Sequence, residues 1–350
     1  MLTKPMKPRY HLPPLLDDAS GQPRRAGFEF EFGNLPIIDT ARSLQAALGG
    51  TLDVKSPFEA VLQGSSVGRL KVERDMDMLK SVRYRGWLQA LGMDFGPGSI
   101  GHDIETNVDS ASRLLVPCEV ITDPIPFDQL QHLDRLLETL TQLGAEGTQD
   151  SLIYAFGLHI NASIPDNSAE GLRRYLQAFL LLYAWIIETS GIDITRRYFT
   201  RFIDPFPQAY SELALDNAYR PTIDELIGDY LEHNPTRNRA LDMLPIFCGL
   251  DEARVQGAIN SDERKLVKGR PAFHYRLPDC RVNEPGWSAA GAWNKWVYVE
   301  QLAADNELLE ELIGEWRACN STFSFAPRAA WATRLTTLLA QKYFERCTAL

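Results

Sequence analysis

Residues 27–33 read GFEFEFG, which sets Glu29 and Glu31 two positions apart inside a row of phenylalanines. In an extended chain, side chains alternate between faces, so Phe28, Phe30 and Phe32 are expected on one side and both carboxylates on the other. Their backbones would lie roughly 6.6 Å apart along the strand. Two charges at that separation repel by about 2.5 kcal/mol at an effective dielectric of 20 and by about 0.6 kcal/mol in water. On a solvated face such a pair is harmless. In a cleft it calls for positive charge between the carboxylates, and a divalent cation is the economical source.

The pattern recurs twice. In residues 157–163, GLHINAS, Leu158 and Ile160 form an apolar row while His159, Asn161 and Ser163 share the opposite face. In residues 272–278, AFHYRLP, the row of Phe273, Tyr275 and Leu277 alternates with His274 and Arg276. Any half-exposed antiparallel strand alternates in this way. What sets these three apart is composition, since a solvated face usually carries Lys, Thr and Ser rather than two Glu, two His, an Asn and an Arg. If the strands share a sheet, that face gathers oxygen and imidazole ligands for a metal beside a cation for phosphate. Glutamates suit Mg²⁺ or Mn²⁺, and arginine presents a fork matched to phosphate.

The elements that must carry these residues can be read from caps and periodicity. Residues 1–25 hold Pro5, Pro8, Pro13, Pro14 and Pro23, which predict an extended arm, and a single domain is expected from residue 26 to residue 350. Asp39 is expected to cap a helix ending at Gly49 and Gly50. Residues 69–78 and 114–122 read as strands, the second with Glu119 in its middle. Leu130, Leu133, Leu137, Leu140 and Leu143 predict a helix stopped by Gly144. A strand over 153–164 leads to a helix from Ser168 to Thr189, and Thr222 with Glu225 signals a capping box. The chain from about residue 286 reads as helical packing around the sheet. Strands and helices in mixed order without a βαβ rhythm predict an α+β fold on an antiparallel sheet.

With 350 residues, 45% of them apolar and 23% charged, the chain can bury a large core. Its net charge of −10 and the lack of a basic face argue against nucleic acid or an anionic membrane as partner. Five scattered cysteines without a CxxC suggest neither a disulfide framework nor a zinc site. The longest apolar run, Ala178 to Ile187, is too short to span a bilayer, and a cytoplasmic protein with small-molecule or peptide partners is expected.

In its ordered set of motifs the chain resembles the amidoligases, which are similar to the carboxylate–amine ligases glutamine synthetase and glutamate–cysteine ligase. The set runs GFEFEFG, then VERDMDM, CEVITDPIP, GLHIN and a late FxxR, and covers about residues 10–300. The resemblance implies an antiparallel sheet whose concave face holds Mg²⁺ or Mn²⁺ and ATP. It also implies transfer of the γ-phosphate to a carboxylate, followed by attack of an amine on the acyl phosphate. By motif position, Glu29, Glu31 and Glu119 would be metal ligands, and His159 would lie near the nucleotide phosphates with Asn161 and His274. Arg276 would face the transferring phosphoryl group, and Arg239, in the loop before the arginine strand, would bind phosphate. The chain departs from the ligases in having His274 where they carry a glutamate two residues before the arginine.

Three functions fit these residues: an ATP-dependent ligase acting on an amino acid, peptide or cell-wall-like substrate, a guanidino phosphotransferase, and a non-catalytic nucleotide- or peptide-binding relative. Arg196, Arg197 and Arg201 could bind an anion or simply end a helix, while Asp75 and Asp77 stand where amidoligases carry an acid. His11, His102, His132 and His233 read as surface or packing residues. The polar faces near residues 29, 159 and 276 are expected to meet on one sheet surface. Glu29 and Arg276 on opposite faces would remove the ligase reading.

Overall fold

The computed structural model describes residues 8–74, 117–148, 156–191, 203–321 and 327–344. Asp75, Asp77, the glycine cluster of residues 96–101, His102, Arg196, Arg197, Arg201 and Cys347 lie outside them. The chain opens with β1 (Arg25–Phe32), α1 (Ile37–Leu48), β2 (Thr51–Ser56), β3 (Glu59–Ser65) and β4 (Gly68–Arg74). It continues with β5 (Cys118–Thr122), β6 (Ile125–Pro126), α2 (Leu133–Leu143), β7 (Leu158–Ala162) and α3 (Ala169–Ser190). Next come α4 (Gln208–Ala214), α5 (Ile223–His233), β8 (Leu241–Asp242), α6 (Leu244–Leu250), α7 (Glu252–Ala258), α8 (Ser261–Arg264) and β9 (His274–Tyr275). Three helices close it: α9 (Ala289–Ala304), α10 (Asn306–Ser321) and α11 (Pro327–Leu339).

Local signals account for many of these boundaries. The Ser168 hydroxyl accepts from the Gly171 N–H at 3.0 Å and starts α3, and Thr222 with Glu225 forms both halves of a capping box on α5. Gly144 ends α2 in the left-handed region at φ 84°, as its sequence position predicts. The expected Asp39 cap is corrected: Pro36 occupies the cap position and Asp39 sits in the first turn, where its charge suits the helix N-terminus. Around β9 the regular ladder shrinks to two residues. Pro271 and Pro278 bracket the segment and can donate no ladder hydrogen bond. Phe273, Tyr275 and Leu277 are nevertheless all buried, so the alternation survives.

The described strands form one antiparallel sheet in the order β2-β3-β4-β5-β1-β7-β9-β8, with β6 paired to β1. Ala60, Val72, Val120, Phe30 and Leu158 stand opposite one another in sequence across five strands, and all are buried. Helices cover that face. α1 lies over β2 to β4 and against α2, while α3 packs on α9 and α11. Trp293 and Trp296 of α9 meet Phe28, Phe273 and Tyr275 of the sheet, with ring centroids 5.1–6.3 Å apart. The tryptophans are core, as their spacing suggests. Among the described residues no helix is long and apolar enough to cross a membrane.

One ion pair locks the layers together. Arg24 and Glu300 have fully buried side chains and meet in a fork, with Nη1–Oε2 at 2.8 Å and Nη2–Oε1 at 2.7 Å. Arg24 also donates to the carbonyls of Leu15 and Ser163, while the Tyr175 hydroxyl and Trp296 indole donate to Glu300. The arm, β1, α3 and α9 thus share a polar junction inside the core, and the described part of the arm is held on the body. A further tie comes from Asn294, which bonds Arg9 and His11. Removing one partner strands a buried charge, so Glu300→Ala should lower unfolding free energy by about 3–5 kcal/mol. In a double-mutant cycle, Arg24→Met with Glu300→Leu should cost less than the two single changes summed, and strict additivity in urea melts would show that the pair is not coupled.

Candidate functional site

The other face of the sheet is built around β1, which lies between β5 and β7. Because β1 pairs antiparallel with both, its two glutamates are flanked on each side. Glu29 stands opposite His159 of β7, and Glu31 opposite Glu119 of β5. The second row continues outward, with Glu119 opposite Glu73 and Glu73 opposite Glu59. Four carboxylates therefore occupy matching positions on four adjacent strands, and Lys71 reaches Glu73 at 2.5 Å.

At the centre, Glu29 Oε2 is 3.0 Å from His159 Nδ1, and the Asn161 amide donates to Glu29 Oε1 at 2.8 Å. The other ring nitrogen, Nε2, lies 3.9 Å from Glu31 Oε1. Gly157 donates its N–H to Glu31 Oε2 at 2.7 Å. A Cβ on residue 157 would meet His159 Nε2 at 2.9 Å and Glu31 Oε2 at 3.3 Å, so only glycine lets the backbone approach this closely. Burial by itself would raise the Glu29 carboxyl, but its bonds to His159 and Asn161 prevail and hold it well below the usual carboxylate range.

Next to this pair His274 is buried, with Nδ1 3.2 Å from Asp242 Oδ2 across the β8–β9 pairing and its ring edge-on to His159 at 5.3 Å. Its Nε2 is buried and has no hydrogen-bond partner among the described residues. Burial pushes its pKa down to about 4 against the pull of the Asp242 and Glu29 carboxylates, so the ring is neutral near pH 7. Arg276 follows two residues later and anchors Nη1 on the Arg237 carbonyl, with Asn238 Oδ1 at 3.5 Å. Its Nε is buried and has no hydrogen-bond partner among the described residues. Burial and the adjacent Arg237 charge lower its pKa, while Asp242, Glu31 and Glu29 act in the opposite direction. Those interactions put the guanidinium within electrostatic reach of the carboxylates.

Arg239, expected to bind phosphate, makes its described bonds within its own loop and to the segment before α4. Its Nε bonds Asn234 Oδ1 and its terminal nitrogens bond the carbonyls of Pro205 and His233, over the Phe206 ring. Arg237 takes the position facing the site, 3.7 Å from Asp242 Oδ2. In a loop with arginines two apart, the choice between them depends on how the loop leaves α5, which spacing does not reveal. Glu29, Glu31, Glu119, His159, Asn161, His274 and Arg276 all gather on the one face. Asp242, Arg237, Glu73 and Glu59 join them without having been singled out from the sequence. Glu73 had a signal, since it alternates with Val72 and Leu70 in the strand read over 69–78; Asp242 had none, because its partner lies on another strand.

Two sets of three side chains bring ligand atoms within 4.8 Å of one another: Glu29, His159 and His274, and Glu31, Glu119 and His159. The second set offers carboxylate oxygens suited to Mg²⁺ or Mn²⁺. Both sets are chemically suited to a divalent cation.

The sheet thus carries helices on one face and a carboxylate–histidine–arginine cluster, with groups that could hold a cation, on the other. Residues 22–298 match the family model described as "putative amidoligase enzyme", and the chain belongs to that family. Neither a curated protein nor a solved structure matches the chain.

The neutral His274 has a pH consequence. In the unfolded chain its pKa returns to about 6.5, so as pH falls the unfolded state takes up the proton first. Stability of chelator-treated protein should be full above about pH 6.5 and decline towards pH 4. His274→Gln should flatten that part of a plot of urea midpoint against pH, and parallel curves for the two proteins would contradict the assignment.

Proposed function

We propose that the protein is an ATP- and divalent-metal-dependent carboxylate–amine ligase that makes an amide or peptide-type bond through an acyl phosphate, on a glutamine synthetase-like catalytic sheet. The observation that carries this reading is the convergence of Glu29, Glu31, Glu119, His159 and Arg276 on one face. Phosphoryl transfer demands charge neutralisation and in-line positioning more than covalent chemistry, and such a face supplies both.

A divalent metal held by Glu29, Glu31, Glu119 and His159 would neutralise phosphate oxygens and polarise the transferring group. The protein's own part is positional. Gly157 and Asn161 fix the carboxylates from the backbone and from β7, so the ligand oxygens need little reorganisation. Arg276, tethered through Nη1, keeps Nε free for an anion, and Arg237 beside it makes the location more positive than one guanidinium could. Arg237 takes over the phosphate-binding role that the sequence suggested for Arg239. The amine nucleophile and carboxylate substrate would be an amino acid, a peptide or a cell-wall-like acceptor.

Phosphate release from ATP with Mg²⁺ or Mn²⁺, measured against pools of amino acids and peptides, tests the reading. Release should require an acid and an amine together; a stable phosphoguanidine without free phosphate, or no turnover with any pool, would overturn it. Glu29→Gln and Glu31→Gln should each abolish turnover while the protein stays folded. Arg276→Lys keeps the charge and loses the fork, so it should lower kcat by about 10²–10³-fold, the effect of losing one preorganised donor, with little change in ATP affinity. Equal losses in both would mark Arg276 as a ground-state binding residue.

A further inference from the structure

We infer that the Glu29–His159–His274 pocket, held in shape by Asp242, is a nitrogen-rich site for a first-row transition ion such as Zn²⁺ or Co²⁺, distinct in ligand type from an oxygen-rich Mg²⁺ site at Glu31 and Glu119. The inference deepens the function proposed above and rests on its premise that this face binds divalent metal. It concerns which metal the chain's own residues select.

Three observations carry it. His274 is only 2% exposed, yet its Nε2 has no hydrogen-bond partner among the described residues, and a folded protein rarely leaves a buried polar atom so. His274 also belongs to a set of three in which it, Glu29 and His159 each offer one ligand atom, all within 4.8 Å of one another. The opposite nitrogen of His274, Nδ1, lies 3.2 Å from Asp242 Oδ2. A carboxylate that accepts from Nδ1–H keeps the proton on that nitrogen and leaves the lone pair on Nε2, the usual outer-shell device behind a metal-bound histidine. A buried water could also satisfy Nε2, but it would not explain why a second imidazole and a carboxylate converge there.

His159 stands between the two sets, with Nδ1 3.0 Å from Glu29 Oε2 and Nε2 3.9 Å from Glu31 Oε1, and ligation of a metal takes whichever nitrogen gives up its proton. One neutral imidazole cannot ligate in both metal sets at once. Committing it to the His274 pocket leaves Glu31 and Glu119 as a carboxylate pair. Two histidines and one carboxylate suit zinc-like ions and leave a coordination position open, whereas Mg²⁺ favours oxygen ligands alone. Ligand atoms around such an ion stand about 3.4 Å apart, given metal–ligand distances of about 2.0–2.1 Å, so binding requires the side chains to close by about an ångström.

The test uses the full chain, stripped with chelator and without nucleotide, titrated with Co²⁺, Zn²⁺ or Mg²⁺ alone. Co²⁺ should give intense visible bands of a four- or five-coordinate nitrogen-containing site, and Zn²⁺ but not Mg²⁺ should displace it. In ¹⁵N-histidine spectra of the unaltered protein, Zn²⁺ should shift two of the six imidazoles and lock each in one tautomer. His274→Gln should remove the intense bands, and Asp242→Asn should weaken Co²⁺ binding by about 10–100-fold, with Mg²⁺ binding unchanged in both. Co²⁺ bands that survive His274→Gln, imidazoles that do not respond to Zn²⁺, or displacement of Co²⁺ by equimolar Mg²⁺ would overturn the inference. The spectra of the unaltered protein decide the matter even if a variant fails to fold. Failure is also separable from failure of the ligase reading: amine-dependent phosphate release with Mg²⁺ beside unresponsive imidazoles refutes only the metal selectivity, and responsive imidazoles without turnover refute only the ligase.

Discussion

The structure depends on holding like charges side by side. Glu59, Glu73, Glu119 and Glu31 stand in one row across β3, β4, β5 and β1. Neighbouring strands are about 4.8 Å apart, and charges at that spacing repel by about 3 kcal/mol per pair at an effective dielectric of 20. The next row is the counterweight. Ala60, Val72, Val120, Phe30 and Leu158 bury their side chains on the opposite face, each large one contributing about 1.5–3 kcal/mol. The pleat makes the two rows inseparable, because whatever sinks Phe30 into the core also presents Glu29 and Glu31 on the other side.

That coupling explains why the helices lie where they do. Burial of the apolar rows needs a continuous cover, and α3 and α9 provide it with aromatic layers against Phe28, Phe273 and Tyr275. The Arg24–Glu300 pair lies within the same cover and ties it to the start of β1. The site itself then rests on rigid elements, with each ligand on a strand whose opposite face is fully packed. Under the function proposed above, the repulsion among these carboxylates would be part of what a bound cation relieves.

The site is graded in chemical character from one end to the other. Around Glu31 and Glu119 it is carboxylate, around His159 and His274 it is imidazole, and around Arg276 and Arg237 it is guanidinium. Hard oxygen donors, softer nitrogen donors and phosphate-seeking cations thus follow one another across β5, β1, β7 and β9.

The sequence by itself determined which face each side chain of β1, β7 and the β9 segment would take, because the period of two is a property of the extended backbone. It determined the Ser168 and Thr222 caps and the Gly144 stop for the same reason, since those bonds close within a few residues. Tertiary structure decided everything that runs between strands. It matched His274 to Asp242, set Glu73 beside Glu119, and turned Arg237 rather than Arg239 towards the carboxylates. Those outcomes depend on register and loop path, which are set by how the whole apolar face packs. No window of local sequence contains that information.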